Sequence, residues 1–182
     1  MDGYERQKFI EIILYILNKT KGIDTYHLFK ILYFAEMKHL AKWGVRLVPD
    51  TFQAWELGPV PHDLYFALKH IDKPERPLSQ GISLSISQAG KDAPNILIAK
   101  RDANMEYLAA SAIDVLNESI VQNRNLSFSE LKEKSHDAAW AEARMKEING
   151  PISRVSMAKV LTQDPGMLEF IQETIEVENL LK

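Results

Sequence analysis

Cysteine is absent from the 182 residues. That excludes disulfides, thiolate catalysis and cysteine-ligated metal sites. Long apolar runs are missing too. The longest, Ile12 to Leu17, has six residues, too few for a signal-peptide core and far below the roughly 20 a membrane helix needs. With Glu5 and Glu11 beside it, a cytoplasmic protein with no membrane partner is expected. Glycine numbers only 8 and never gathers into a phosphate loop or a dinucleotide fingerprint. H-E-x-x-H and G-x-S-x-G are also lacking. Positive charge is not in excess: 22 basic against 25 acidic residues give a net charge of −3, whereas a protein binding nucleic acid over its whole surface is usually basic. Histidines stand at 27, 39, 62, 70 and 136, and no two share a helix face at the spacing of paired metal ligands. No catalytic residue, metal or cofactor is therefore expected. An enzyme reading survives only as a site assembled from distant residues, such as His62 with His136 or Asp24 with Asp50.

What is present is ordinary globular material, 46% hydrophobic and 26% charged, in a length that suits one domain. Residues 4–18 read as a helix apolar almost all round, hence buried. Lys21-Gly22 ends it. Asp24 can cap a second helix running to about Trp43, where Gly44 stops it. Its broad apolar surface, from Leu28 to Ala41, suggests the central helix of the core. Thr51 to Trp55 reads as a short strand, after which Gly58-Pro59 and Pro61 break structure. A helix from about Pro61 to His70 follows, then a loop over 72–81. Ile82 to Ser87 alternates apolar and polar, the period of a strand. After the turn QAGKDAPN, Ile96 to Ile98 pairs with it as a hairpin, and the strand near Phe52 completes a sheet of about three strands. Residues 104–122 show a clear helical period. Ser127 and Glu130 form a capping box. A helical turn at 138–146, a break at 149–151 and a last helix from Asp164-Pro165 complete the chain. The sum is α+β, mostly α-helical: a single domain of about six to eight helices with a small antiparallel sheet. Charge is about +2 over residues 1–50, −1 over 51–163 and −4 over 164–182, so the last helix is either a solvated acidic face or a docking surface for a basic partner.

Two constellations stand out. In Ala54-Trp55-Glu56-Leu57-Gly58-Pro59-Val60-Pro61, a tryptophan leaves a strand, meets a stiff Gly-Pro bend and enters a helix carrying His62 and Tyr65. A rigid elbow bearing an aromatic suits recognition, because little freedom is lost on binding. Equally, Trp55 can plug the core and the bend merely turn the chain. In the second, His136 and Trp140 lie four apart, on one face of a helix, with alanines between that admit a close neighbour. Ser135-His136-Asp137 is no triad, since successive helical residues diverge by about 100°.

Lys30-Ile31-Leu32-Tyr33-Phe34-Ala35 followed by Ala54-Trp55-Glu56-Leu57-Gly58-Pro59-Val60 resembles the Panacea, or SocA-like antitoxin, domain. Leu126-Ser127 to Leu131, then His136 and Trp140, and finally Ile152-Ser153, resemble its later segments. Together these cover about residues 5–160. The resemblance implies a helical domain with a small sheet, whose members bind and neutralise toxins encoded beside them; one relative instead hands its toxin to a protease. Related proteins occur in bacterial prophages. Residues 1–163 are thus expected to be the antitoxin domain and 164–182 an acidic helix packed on or extending it.

The leading expectation is a non-enzymatic antitoxin that covers the active site of a cognate protein toxin, with a protease system as a further partner. Trp55, Gly58, Pro59, Val60, His62 and Tyr65 would frame the contact or the scaffold beneath it, with His136 and Trp140 as the second motif. The alternative is a winged-helix-like transcriptional regulator in which Ser85, Lys91, Lys100 and Arg101 meet the phosphates of operator DNA.

Overall fold

The computed structural model describes residues 1–90, 93 and 95–180. Among these lie nine α-helices and five short strands, so the expected, mostly helical α+β class stands. Helix α1 (Gly3–Thr20) buries every residue from Phe9 to Leu17. It closes through Lys21 and Gly22, both at positive φ. Strand β1 (Ile23–Asp24) leads into α2 (Thr25–Trp43), where the Asp24 carboxylate accepts the His27 amide at 3.0 Å. Gly44 ends α2 at φ +70°. Fully buried Leu28, Ile31, Leu32, Tyr33, Ala35 and Leu40 make α2 the spine of the core.

Strands β2 (Phe52–Trp55) and β3 (Gly58–Pro61) pair antiparallel in a two-stranded sheet of their own. This corrects two expectations: Gly58 to Pro61 is a strand rather than a break, and β2 does not join the other hairpin. Pro59 and Pro61 stand opposite Ala54 and Phe52. Two positions apart, they have the same orientation in the ladder, where the missing N–H would point away from β2. Helix α3 (His62–Lys69) follows at once. Its first amides are satisfied across a loop: Asp50 accepts Asp63 N–H and Leu64 N–H, each at 3.0 Å.

A third correction concerns 72–87. Helix α4 (Pro77–Ser85) occupies much of the expected loop and strand, leaving only β4 (Ile86–Gln88) extended. The Ile/Ser alternation also fits a helix. Leu78, Ile82 and Ile86 recur every four residues and are buried, while Leu84, which a strand would bury with them, is 79% exposed. Strand β4 pairs with β5 (Ile96–Ala99), and β5 with β1, in the order β1-β5-β4. In the turn between them Lys91, Asp92 and Pro94 lie outside the described residues. A single 3-10 turn, Met105–Tyr107, precedes α5 (Ala110–Asn123), so the helix expected from 104 starts later. The chain ends with α6 (Phe128–Ser135), capped by the Ser127–Glu130 box, α7 (Ala138–Lys146), α8 (Arg154–Lys159) and α9 (Pro165–Leu180). Helix α9 seats Ile171 in the core, sets Phe170 and Met167 against Gly44, and ties Glu178 to Arg154 at 2.8 Å.

Two described cations at the β4–β5 hairpin, Arg101 and Lys100, already have partners within the chain. Arg101 makes two hydrogen bonds, at 2.6 and 2.9 Å, to the buried Glu11 carboxylate. Lys100 donates to the Ser83 carbonyl at 2.6 Å, and Ser85 is buried. Lys91, the remaining candidate there, is not among the described residues. No helix among the described residues is long and apolar enough to cross a membrane.

Candidate functional site

Helix α2 carries polar side chains at 26, 30, 33 and 36, a three- and four-residue spacing that lines them along one ridge. The first two hold the β2–β3 hairpin, the third the start of α7 and the fourth the loop after α2. The Tyr26 hydroxyl donates to the Leu57 carbonyl at 3.0 Å. The Lys30 ammonium donates to the Pro59 carbonyl at 2.9 Å. The Tyr33 hydroxyl donates to the Asp137 carboxylate at 3.0 Å, and Asp137 in turn accepts Trp140 N–H to cap α7. Glu36 accepts Leu47 N–H at 2.9 Å and Val48 N–H at 3.0 Å. Beside the ridge, His27 Nε2 meets the Leu126 carbonyl at 2.7 Å.

The β2–β3 hairpin receives most of this attention. Ala54 O accepts from Arg144 at 3.0 Å and Trp55 O from Trp140 Nε1 at 2.9 Å. The Glu56 backbone interacts with the His136 ring. Leu57 O and Pro59 O are taken by Tyr26 and Lys30. On the outer side of β2, Ala54 N–H donates to Gly150 O and Ile152 N–H to Phe52 O. The hairpin is thus clamped by side chains from α2 and α7 and by the 150–152 segment. Gly58 completes the fit. It sits at φ +98°, and a Cβ there would come within 2.6 Å of Ser135 Oγ and 2.7 Å of Lys30 Nζ. Only glycine meets both demands.

Lys30 is buried, and among the described residues no carboxylate pairs with it. Its ammonium lies 4.7 Å from the Tyr26 ring centroid. Burial pulls its pKa down to about 7, because an apolar setting penalises the charged form. His136 stacks flat on Trp140, 3.7 Å between centroids and 7° between planes. Burial, then the nearby Lys132 and Lys30 charges, hold it below the usual histidine range, which favours the neutral imidazole.

In front of the hairpin lies an open groove of about 520 Å³, lined by Asp24, Thr25, Tyr26, Phe29, Trp55, Glu56, Leu57, Val60, Tyr65 and Asn95. Trp55 and Tyr65 meet edge to face at 4.7 Å, and Phe29 backs Tyr65 at 6.5 Å. Among the described residues no group of three or more metal-ligating side chains converges.

A sequence model of the antitoxin SocA-like, Panacea domain matches residues 28–141. The chain belongs to this family. No curated protein and no solved structure matches it. The Panacea segment opens within α2 and closes within α7, and so contains Lys30, Tyr33, the whole β2–β3 hairpin, His136 and Trp140.

Within this Panacea frame, the residues singled out from sequence divide. Trp55, Val60 and Tyr65 line the groove. Gly58, Pro59, His136 and Trp140 belong to the clamp behind it. His62 stands apart on α3, its ring against Phe66 and its Nδ1 3.1 Å from Asp63. Asp24 and Asp50 cap different helices. Tyr26, Tyr33, Glu36 and Arg144 were not legible as anchors. The first three share only the 26-30-33-36 spacing of polar groups on α2, and Arg144, on α7, has no such signal.

Proposed function

We propose that this chain is an antitoxin that neutralises a cognate protein toxin by direct binding, covering the toxin's active site and contributing no chemistry of its own. Membership of the Panacea family carries this reading. The clamped hairpin supports it, because an interface held in its bound shape loses little conformational freedom on association. In this reading Trp55, Val60 and Tyr65 meet the toxin, while Gly58, Pro59, His136 and Trp140 fix the surface that does so. The setting is the bacterial cytoplasm, with the genes carried in a prophage-like pair. Whether the toxin is held or passed to a protease is a later step that the same contact serves. The test is to tag the chain, recover it from its native host with and without nuclease, and identify what comes with it. One stoichiometric protein that survives nuclease, arrests growth alone and is silenced by co-expression of this chain is the expected result. Trp55→Ala should lose the silencing while keeping its far-ultraviolet circular dichroism. A partner lost on nuclease treatment overturns the reading in favour of operator binding.

A further inference from the structure

The groove's lining is specific in its chemistry. Four of its walls are aromatic: Tyr26, Phe29, Trp55 and Tyr65. Among the described residues its charged lining groups are Asp24 and Glu56, with no lysine or arginine beside them. Asp24 is partly engaged, capping α2 and facing His27 Nδ1 at 2.6 Å. Glu56 is exposed at the hairpin tip, and among the described residues no cation lies within ion-pair distance of it. Some other surface carboxylates are matched, Glu118 by Lys38 and Lys42, Glu142 by Lys146 and Glu178 by Arg154; what sets Glu56 apart is its place on an aromatic-walled groove. An open, aromatic-walled hollow with an unmatched carboxylate on its rim is complementary to a cation that also has a flat apolar surface. Guanidinium has both properties: it stacks on aromatic rings and grips carboxylates through parallel N–H donors. The volume lies within the roughly 300–1,000 Å³ of ordinary ligand pockets, ample for one long side chain and its neighbours. Phosphate is disfavoured by the same two carboxylates.

We propose that the groove between Trp55, Tyr65 and the Asp24–Glu56 rim seats an arginine side chain of the bound toxin. This rests on the antitoxin reading and adds to it the chemistry of the contact. The hairpin clamp supplies the rigidity such a seat needs, since Trp55, Glu56 and Leu57 all have their backbone fixed from behind.

The test has two arms. In the first, the ¹⁵N-labelled chain is titrated with acetyl-Leu-Arg-Leu-amide and, separately, with the citrulline peptide, which is neutral but of the same shape. The arginine peptide should shift the Trp55, Glu56 and Tyr65 resonances, and citrulline should bind about tenfold more weakly. Equal shifts from both peptides, or none from either, overturn the proposal. In the second arm, the toxin is bound to wild type, Glu56→Gln and Glu56→Lys, each checked by circular dichroism. Glu56→Lys should weaken toxin binding by about tenfold or more, and Glu56→Gln by less. A toxin held equally by wild type and Glu56→Lys overturns this inference alone. A wild-type chain that binds the arginine peptide but no toxin overturns the antitoxin reading.

Discussion

Two of the ionisable groups buried by helix α2, Lys30 and Glu36, each hold a neighbouring segment by its backbone. Toward the N-terminal end, the Lys30 ammonium takes one carbonyl, that of Pro59, in a hairpin with several other clamps. Further along, the Glu36 carboxylate takes two amides, those of Leu47 and Val48, in the loop after the helix. Burial pushes the two in opposite directions: Lys30 falls to about 7, and Glu36 rises to about 7 against the pull of its two amide donors. The chemistry is mirrored but the setting is not. Lys30 lies behind a surface that opens onto a groove, while Glu36 serves the interior alone. A shared clamp tolerates the loss of one member; a sole acceptor for two buried donors does not.

Breaking the Glu36 end should therefore cost most. Glu36→Leu leaves two buried amides without an acceptor, at about 1–3 kcal/mol each, and urea unfolding should show the loss directly. Glu36→Gln keeps an acceptor and should be milder. It should also remove a pH dependence. The folded carboxyl keeps its proton to about 7, whereas the unfolded one releases it near 4.5. In that window the folded state binds more protons, so wild-type stability should fall as pH rises from 4.5 to 7. The Gln variant should lose this slope.

The Lys30 end should break more gently. Lys30→Met removes a buried amine and one hydrogen bond while nearly conserving volume, and at neutral pH should change stability by about 1 kcal/mol or less. Between about 7 and 10.5 the unfolded lysine holds a proton that the folded one has released. Wild-type stability should thus rise with pH across that range, and the Met variant should lack the rise. Denaturant midpoints at several pH values check both slopes. The smallest effect concerns tuning. Arg154 and Arg46 help restrain the upward push on Glu36. Arg154→Ala should move the Glu36 titration higher, read from its carboxyl ¹³C shift, while costing no more than about 1 kcal/mol from the lost Glu178 pair.

Much of the scaffold was legible. The all-round apolar character of 9–17, the Asp24 and Ser127–Glu130 caps and the Gly44 stop each follow from local chemistry, and each appears in the fold. Other parts were not. The Ile/Ser run fits two periods at once, and only its packing against α1, where a Cβ on Gly81 would meet Ile10 at 2.4 Å, decides for a helix. Two prolines and a glycine at 58–61 look like a break because their strand character depends on which ladder positions they occupy. At the candidate site, Trp55 and the Gly-Pro bend were visible as a stiff aromatic elbow. The donors that stiffen it come from residues 26, 30, 140 and 144, and no local pattern announces pairings over such separations. His62 drew attention only through sequence proximity to the bend.

The ridge on α2 sets different rules for different kinds of sequence change. Inserting a single residue between Lys30 and Tyr33 would rotate everything beyond it by about 100°, detaching the α7 cap and the 47–48 loop together. A descendant lineage can therefore redecorate this helix but cannot readily alter its length. The segments held at its sides are constrained at their points of attachment and, in the hairpin, at Gly58. Leu57, Pro59 and Leu126 offer only backbone carbonyls to their anchors, which any residue provides. Divergence in length belongs between the hairpin and Leu126, and divergence in side chains belongs around the groove the hairpin frames.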